Sequence, residues 1–119
     1  MIAVFDSKVL IDYLNGVEAA KKELEIFEKK AISVITYIEV FSKIDAGKEI
    51  TEVKAFISDN LEIIQITNDI AEKAIEIRKS TKLKSPDAII LATAMVNNAF
   101  LVTRDKNFDR EMPTIRIPY

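Results

Sequence analysis

The sequence predicts a three-layer α/β/α fold around a central, mainly parallel sheet of about five strands. Two observations carry that expectation. Short apolar runs alternate along the chain with longer segments of helical period, the pattern of strands linked by covering helices. No internal repeat, low-complexity tract or Pro/Gly/Ser-rich linker interrupts the 119 residues, so residues 1–119 are expected to form one domain. With 49% hydrophobic and 30% charged residues the composition is that of one globular core. At this size folding buries roughly two-thirds of the chain's surface without help from disulfides or a structural metal.

The elements follow in order. Ile2 to Phe5 reads as a buried strand, and Val9, Leu10, Tyr13 and Leu14 form the apolar stripe of a first helix that Gly16 ends. Residues 17–30 place Ala20, Leu24 and Phe27 on one face of a charged helix. Ala31 to Val34 is a second strand, followed by a helix over about 37–46 closed by Gly47 and another over 49–60. Leu61 to Ile66 is a β-branched run and so a third strand. Helices over about 68–80 and 86–98 precede a strand from Ala99 to Thr103, and a short last strand lies near Ile115 to Ile117.

Composition narrows the chemistry. The chain has no Cys and no His, which removes thiolate catalysis, Ser-His-Asp triads and Cys- or His-ligated metals. Only two glycines occur, so no Gly-rich phosphate cradle is built. A net charge of −2 argues against coating nucleic acid indiscriminately, but not against a local basic rim. The N-terminus MIAVFDSKVL lacks a basic stretch and a cleavage site, and no apolar segment reaches the eighteen or so residues of a membrane span. A soluble, cytoplasmic protein is expected.

In an open parallel sheet, ligands bind beyond the carboxyl ends of the strands. Asp6 directly follows the first strand, Glu39 is expected in the first turn after the second, and Asp105 lies just past the fourth. Asp87 follows Pro86 at the start of a helix on the same edge. Each has an ordinary explanation: Thr36 and Glu39 match a capping box, Ser85-Pro86-Asp87 a capped helix start, and Asp6 and Asp105 local caps. Gathered at one edge, they demand more. Two carboxylates about 4 Å apart repel by on the order of 4 kcal/mol at an effective dielectric of 20. A divalent cation relieves that repulsion, and an all-oxygen set suits Mg²⁺ or Mn²⁺.

Ser7, Ser33, Thr36 and Thr103 are hydroxyls placed to position a water or a carboxylate, with turn and strand-end hydrogen bonding as the alternative for Ser33 and Thr36. Lys8, Arg78, Lys79, Lys82, Lys84, Arg104, Lys106 and Arg110 lie near the acidic positions and could grip a phosphate backbone; Lys8, Lys84, Arg104 and Lys106 are the leading candidates for that contact.

FDSKVLIDYL at 5–14, ISVITYIEV at 32–40, SPDAIILATA at 85–94 and LVTRDKNFD at 101–109 resemble the four motifs of PIN-domain nucleases, especially the VapC-type toxins of prokaryotic toxin–antitoxin pairs. The resemblance spans the chain in the right order. It implies that Asp6, Glu39, Asp87 and Asp105 hold one or two Mg²⁺ or Mn²⁺ ions and hydrolyse single-stranded RNA to a 5′-phosphate and a 3′-hydroxyl. Asp6 and Asp87 are then the main direct ligands, and Asp109 is a reserve for Asp105. It further implies a cognate antitoxin partner and a homodimer. The first motif departs from the family where Lys8 replaces a small polar residue, often Asn.

Two other readings compete: a PIN-like module that binds RNA or protein without catalysis, motivated by Lys8, and a receiver-type phosphoacceptor domain. The latter wants an acidic pair after the first strand and an Asp after the third, whereas Asp6 is followed by Ser7 and Ile66 by Thr67.

Overall fold

The computed structural model describes residues 2–44, 50–109 and 111–119. Its elements are β1 (Ile2–Phe5), α1 (Ser7–Leu14), α2 (Glu18–Ile26), β2 (Lys29–Ser33), α3 (Val34–Lys43), α4 (Ile50–Asn60), β3 (Glu62–Ile64), α5 (Asn68–Ser80), α6 (Ser85–Val96), β4 (Phe100–Val102) and β5 (Ile115–Arg116). The five strands form one sheet in the order β3-β2-β1-β4-β5, and every neighbouring pair is parallel. From β1 the chain steps outward through β2 and β3, then returns to lay β4 on the other side of β1. That reversal opens a crevice beyond the carboxyl ends of β1 and β4, where parallel sheets bind ligands.

Strand side chains alternate between faces, and the two cores follow that period of two. Ala3, Phe5, Ile32 and Val102 pack with Val9, Leu10, Ala20, Leu24, Val40 and Ile57 from α1 to α4. Val4, Ala31, Leu101 and Ile115 pack on the opposite face with Ile70, Ala74 and Ile77 of α5 and the buried residues of α6. α6 is apolar nearly all round because α5 covers the side it turns away from the sheet; Ala88, Ile90, Leu91, Ala92 and Ala94 are all buried. Asp87 directly precedes this buried run, in the first turn of the helix.

The first helix ends as expected. Gly16 adopts φ +83°, its amide donates to the Tyr13 carbonyl at 3.0 Å, and the Val17 amide donates to that of Asp12 at 2.9 Å. Two expectations are corrected. The charged helix over 17–30 stops at Ile26, because Phe27 turns extended to bury its ring between Phe5 and Phe100, and Lys29 and Lys30 then pair with Ile2 and Ala3. α3 begins at Val34 rather than near 37, capped by Ser33, whose hydroxyl accepts the Ile35 amide at 3.1 Å. The Val34-Ile35-Thr36 run looks like strand because it is β-branched, yet packing holds it helical. The expected closure by Gly47 and the start of the next helix at Glu49 lie outside the described residues. Glu23 is buried on α2 and receives both arms of Arg116 at 2.6 and 2.9 Å, which ties β5 to that helix.

Candidate active site

Asp6 leaves β1 in an extended conformation and caps α1: its Oδ1 accepts the Ser7 amide at 2.8 Å. Its own amide donates to the Val102 carbonyl at 2.9 Å, which locks the end of β1 to the end of β4. Its Oδ2 accepts the Thr103 hydroxyl at 2.7 Å, and Thr103 Oγ1 in turn accepts the Asp105 amide at 3.0 Å. Thr103, wholly buried, thus sets the spacing between two carboxylates 99 positions apart in sequence. Asp105 Oδ1 accepts the Asn107 amide at 2.9 Å, and its Oδ2 accepts Lys8 Nζ at 2.9 Å.

Asp87 and Glu39 reach the same place from two helices. Asp87 sits half-buried in the first turn of α6. The N-cap of that helix is Lys84, without a side-chain capping bond, and the Ser85 hydroxyl instead accepts Arg78 at 2.5 Å. The expected cap by Ser85 is therefore absent. With α3 starting at Val34, Glu39 falls in its second turn, not its first, so the Thr36–Glu39 capping box is not formed either. Thr36 Oγ1 and Glu39 Oε1 are instead buried with no hydrogen-bond partner among the described residues.

The electrostatics join the four groups. Burial, then the charges of Asp6, Asp105 and Glu39, push the Asp87 carboxyl up to about 6. Burial also raises Asp6, with Asp105 adding to it, against the hydrogen bonds from Thr103 and Ser7. Burial works to raise Asp105 as well, but the Asn107 amide and the Lys8 ammonium hold it below its ordinary value.

A divalent cation fits this donor set. The ligands available are all hard oxygens, and a buried carboxylate oxygen without a donor, Glu39 Oε1, calls for a cation. Among the described residues, however, no three acidic side chains are drawn tightly enough together to hold an ion as they stand. Asp105 directs one carboxylate oxygen to Lys8 and the other to the Asn107 amide.

Beside Asp87 a cleft of about 590 Å³ is lined by Lys82, Lys84, Lys106, Asn107 and Asp109 among others. Lys84 and Lys106 are exposed along it. Asp109 spends Oδ1 on the Glu111 amide at 2.9 Å and forms part of the wall. Arg104 turns elsewhere, to Asp12 at 2.6 Å, where the Tyr119 hydroxyl also donates at 2.8 Å. Arg78 and Lys79 border a separate apolar groove with Ile66, Ala71, Ile75 and Ile89. Ser7 is buried beneath Asp6, and Arg110 lies outside the described residues. The Lys8–Asp105 pair escaped sequence reading, since no local pattern couples residues 97 apart.

The family model of the PIN domain matches residues 3–111. Among solved structures, a chain of a toxin–antitoxin complex from Klebsiella pneumoniae is similar at 39% identity and a TM-score of 0.91, with 98% of each chain covered. VapBC2 from Rickettsia felis, bound to a promoter DNA fragment, matches at 23% identity and TM-score 0.78, covering 97% of this chain and 96% of that one. DNA-bound VapBC from Salmonella typhimurium matches at 24% and 0.74, covering 98% and 96%. Comparison with curated protein sequences gave no match.

Proposed function

This chain belongs to the PIN-domain family, and from that premise we propose that it is a metal-dependent endoribonuclease, the toxin of a type II toxin–antitoxin pair, acting as one domain over residues 1–119 in the cytoplasm. The observation that carries the reading is the shared field of Asp6, Glu39, Asp87 and Asp105, with Glu39 Oε1 buried and unpartnered inside it. Asp6, Glu39 and Asp87 would hold Mg²⁺ or Mn²⁺, and Asp105 would join them directly or through water. The ion supplies neutralisation of the scissile phosphate and acidification of the attacking water. The chain's own residues do the positioning: Thr103 and the Ser7 amide orient Asp6, and the packed start of α6 holds Asp87. Lys84 and Lys106, with Lys82 beside them along the adjoining cleft, would grip the RNA backbone. Arg104, engaged by Asp12, is not carried into that rim.

The complexes in which similar chains occur support a cognate antitoxin as partner; the homodimer rests on the family resemblance alone. A receiver-type domain is disfavoured by the sheet itself, whose order 3-2-1-4-5 differs from the 2-1-3-4-5 of that class. The non-catalytic alternative keeps one favouring observation, the ammonium of Lys8 inside the carboxylate cluster.

The test is cleavage of labelled single-stranded RNA by the purified, antitoxin-free protein in Mn²⁺ or Mg²⁺. Cleavage is expected to stop in EDTA. It is expected to fall in Asp6→Asn, Glu39→Gln and Asp87→Asn by at least about a hundredfold, the upper end for losing even an outer-sphere partner. Turnover that survives chelation or these substitutions would refute the assignment, and no turnover in any metal would favour the binding module.

A further inference from the structure

Lys8 is an unexpected residue for its position. It is the second residue of α1, where the helix already presents its positive end, so a lysine there runs against the dipole and needs nearby anions to offset it. Asp105 provides one at 2.9 Å, through a pair whose side chains are 42% and 12% exposed. Lysine has only donors, so its ammonium cannot ligate a metal and repels one. Asp105 differs from Glu39 in consequence. Both Asp105 oxygens carry a donor, the Asn107 amide on one and a full positive charge on the other, whereas Glu39 Oε1 is bare.

Resting on the metal-site reading above, we propose that Lys8 is a positioning residue that restrains Asp105. In the substrate-free site the ammonium takes the place of a cation beside Asp105, so the divalent ion is held by Asp6, Glu39 and Asp87. Asp105 becomes a ligand only when Lys8 is withdrawn. The direction of the contacts agrees with this: Asp105 turns Oδ2 to the lysine, whereas Glu39 Oε1 has no partner among the described residues.

Mn²⁺ titration of the antitoxin-free protein, by calorimetry and by the electron-spin signal of free Mn²⁺, tests this without RNA. Lys8→Met should bind Mn²⁺ about tenfold more tightly than the wild type, the scale of one half-exposed charge-assisted hydrogen bond. Lys8→Arg should bind as the wild type does, and Asp105→Asn alone should move affinity by less than about threefold, because a restrained Asp105 contributes no ligand. In the Lys8→Met/Asp105→Asn double variant the gain should shrink to about threefold, the residue of general charge removal. Circular dichroism checks that each variant is folded. The inference is overturned if Lys8→Met leaves affinity unchanged, if its gain survives intact over Asp105→Asn, or if Asp105→Asn alone abolishes binding. Mn²⁺ binding that needs Asp87 but ignores Lys8→Met sinks this inference and leaves the ribonuclease reading standing. Absence of binding in both wild type and Lys8→Met sinks the two together.

Discussion

Replacing Asp87 by Asn should make the metal-free protein more stable, although it changes a group in the candidate active site. Burial and then the charges of Asp6, Asp105 and Glu39 raise the Asp87 carboxyl from 3.8 to about 6. A carboxyl with a raised folded-state pKa binds its proton more tightly in the native protein, so stability falls as pH rises through the window from 3.8 to about 6 and stays reduced above it. Each unit of displacement corresponds to about 1.4 kcal/mol, and solvent screening at a half-exposed carboxyl reduces the whole effect to on the order of 1 kcal/mol. Asp87→Asn should therefore unfold roughly 3–6 °C higher than the wild type at pH 7.5 in EDTA. The advantage should fade toward pH 4, where the native carboxyl is protonated. Mn²⁺ should reverse the order: at about ten times its Kd it adds roughly 1.4 kcal/mol to the wild type and little to the variant. Differential scanning calorimetry at the two pH values, with and without Mn²⁺, decides the matter. If Asp87→Asn is neutral or less stable at pH 7.5, or if its gain is the same at pH 4, carboxylate repulsion does not govern this site.

Two further predictions concern the frame around it. Thr103→Val removes the hydroxyl that donates to Asp6 and accepts the Asp105 amide, and should cost about 1–3 kcal/mol in urea unfolding while weakening Mn²⁺ binding; a variant that keeps both properties would show that Asp6 needs no such support. Gly16→Ala has open space for its Cβ but must hold φ +83°, so about 1 kcal/mol of destabilisation is expected from backbone strain alone, with Gly16→Asn milder; equal stability of the Ala variant would refute that account.

Much of the fold was legible because its signals are local. The apolar run Ile2–Phe5, the stripe of α1 and the helix stop at Gly16 each follow from residues a few positions apart. The errors arose where tertiary packing outweighed propensity. Phe27 leaves its helix to fill a space between two strands, and the β-branched start of α3 is held helical beneath the sheet. Moving the start of α3 back to Val34 changed the chemistry as well as the boundary, since it took Glu39 out of a capping role and left its oxygen bare.

The sequence by itself determined the class of architecture, the exclusion of thiol and imidazole chemistry, and which carboxylates follow which strands, because composition and periodicity are properties of the chain alone. Tertiary structure decided the rest. Only the order β3-β2-β1-β4-β5 sets the ends of β1 and β4 side by side, and only that adjacency lets Thr103 bridge Asp6 to Asp105 and Lys8 reach across to the latter. Hydrogen bonds and repulsions between residues nearly a hundred positions apart depend on distance in space, which no local pattern encodes.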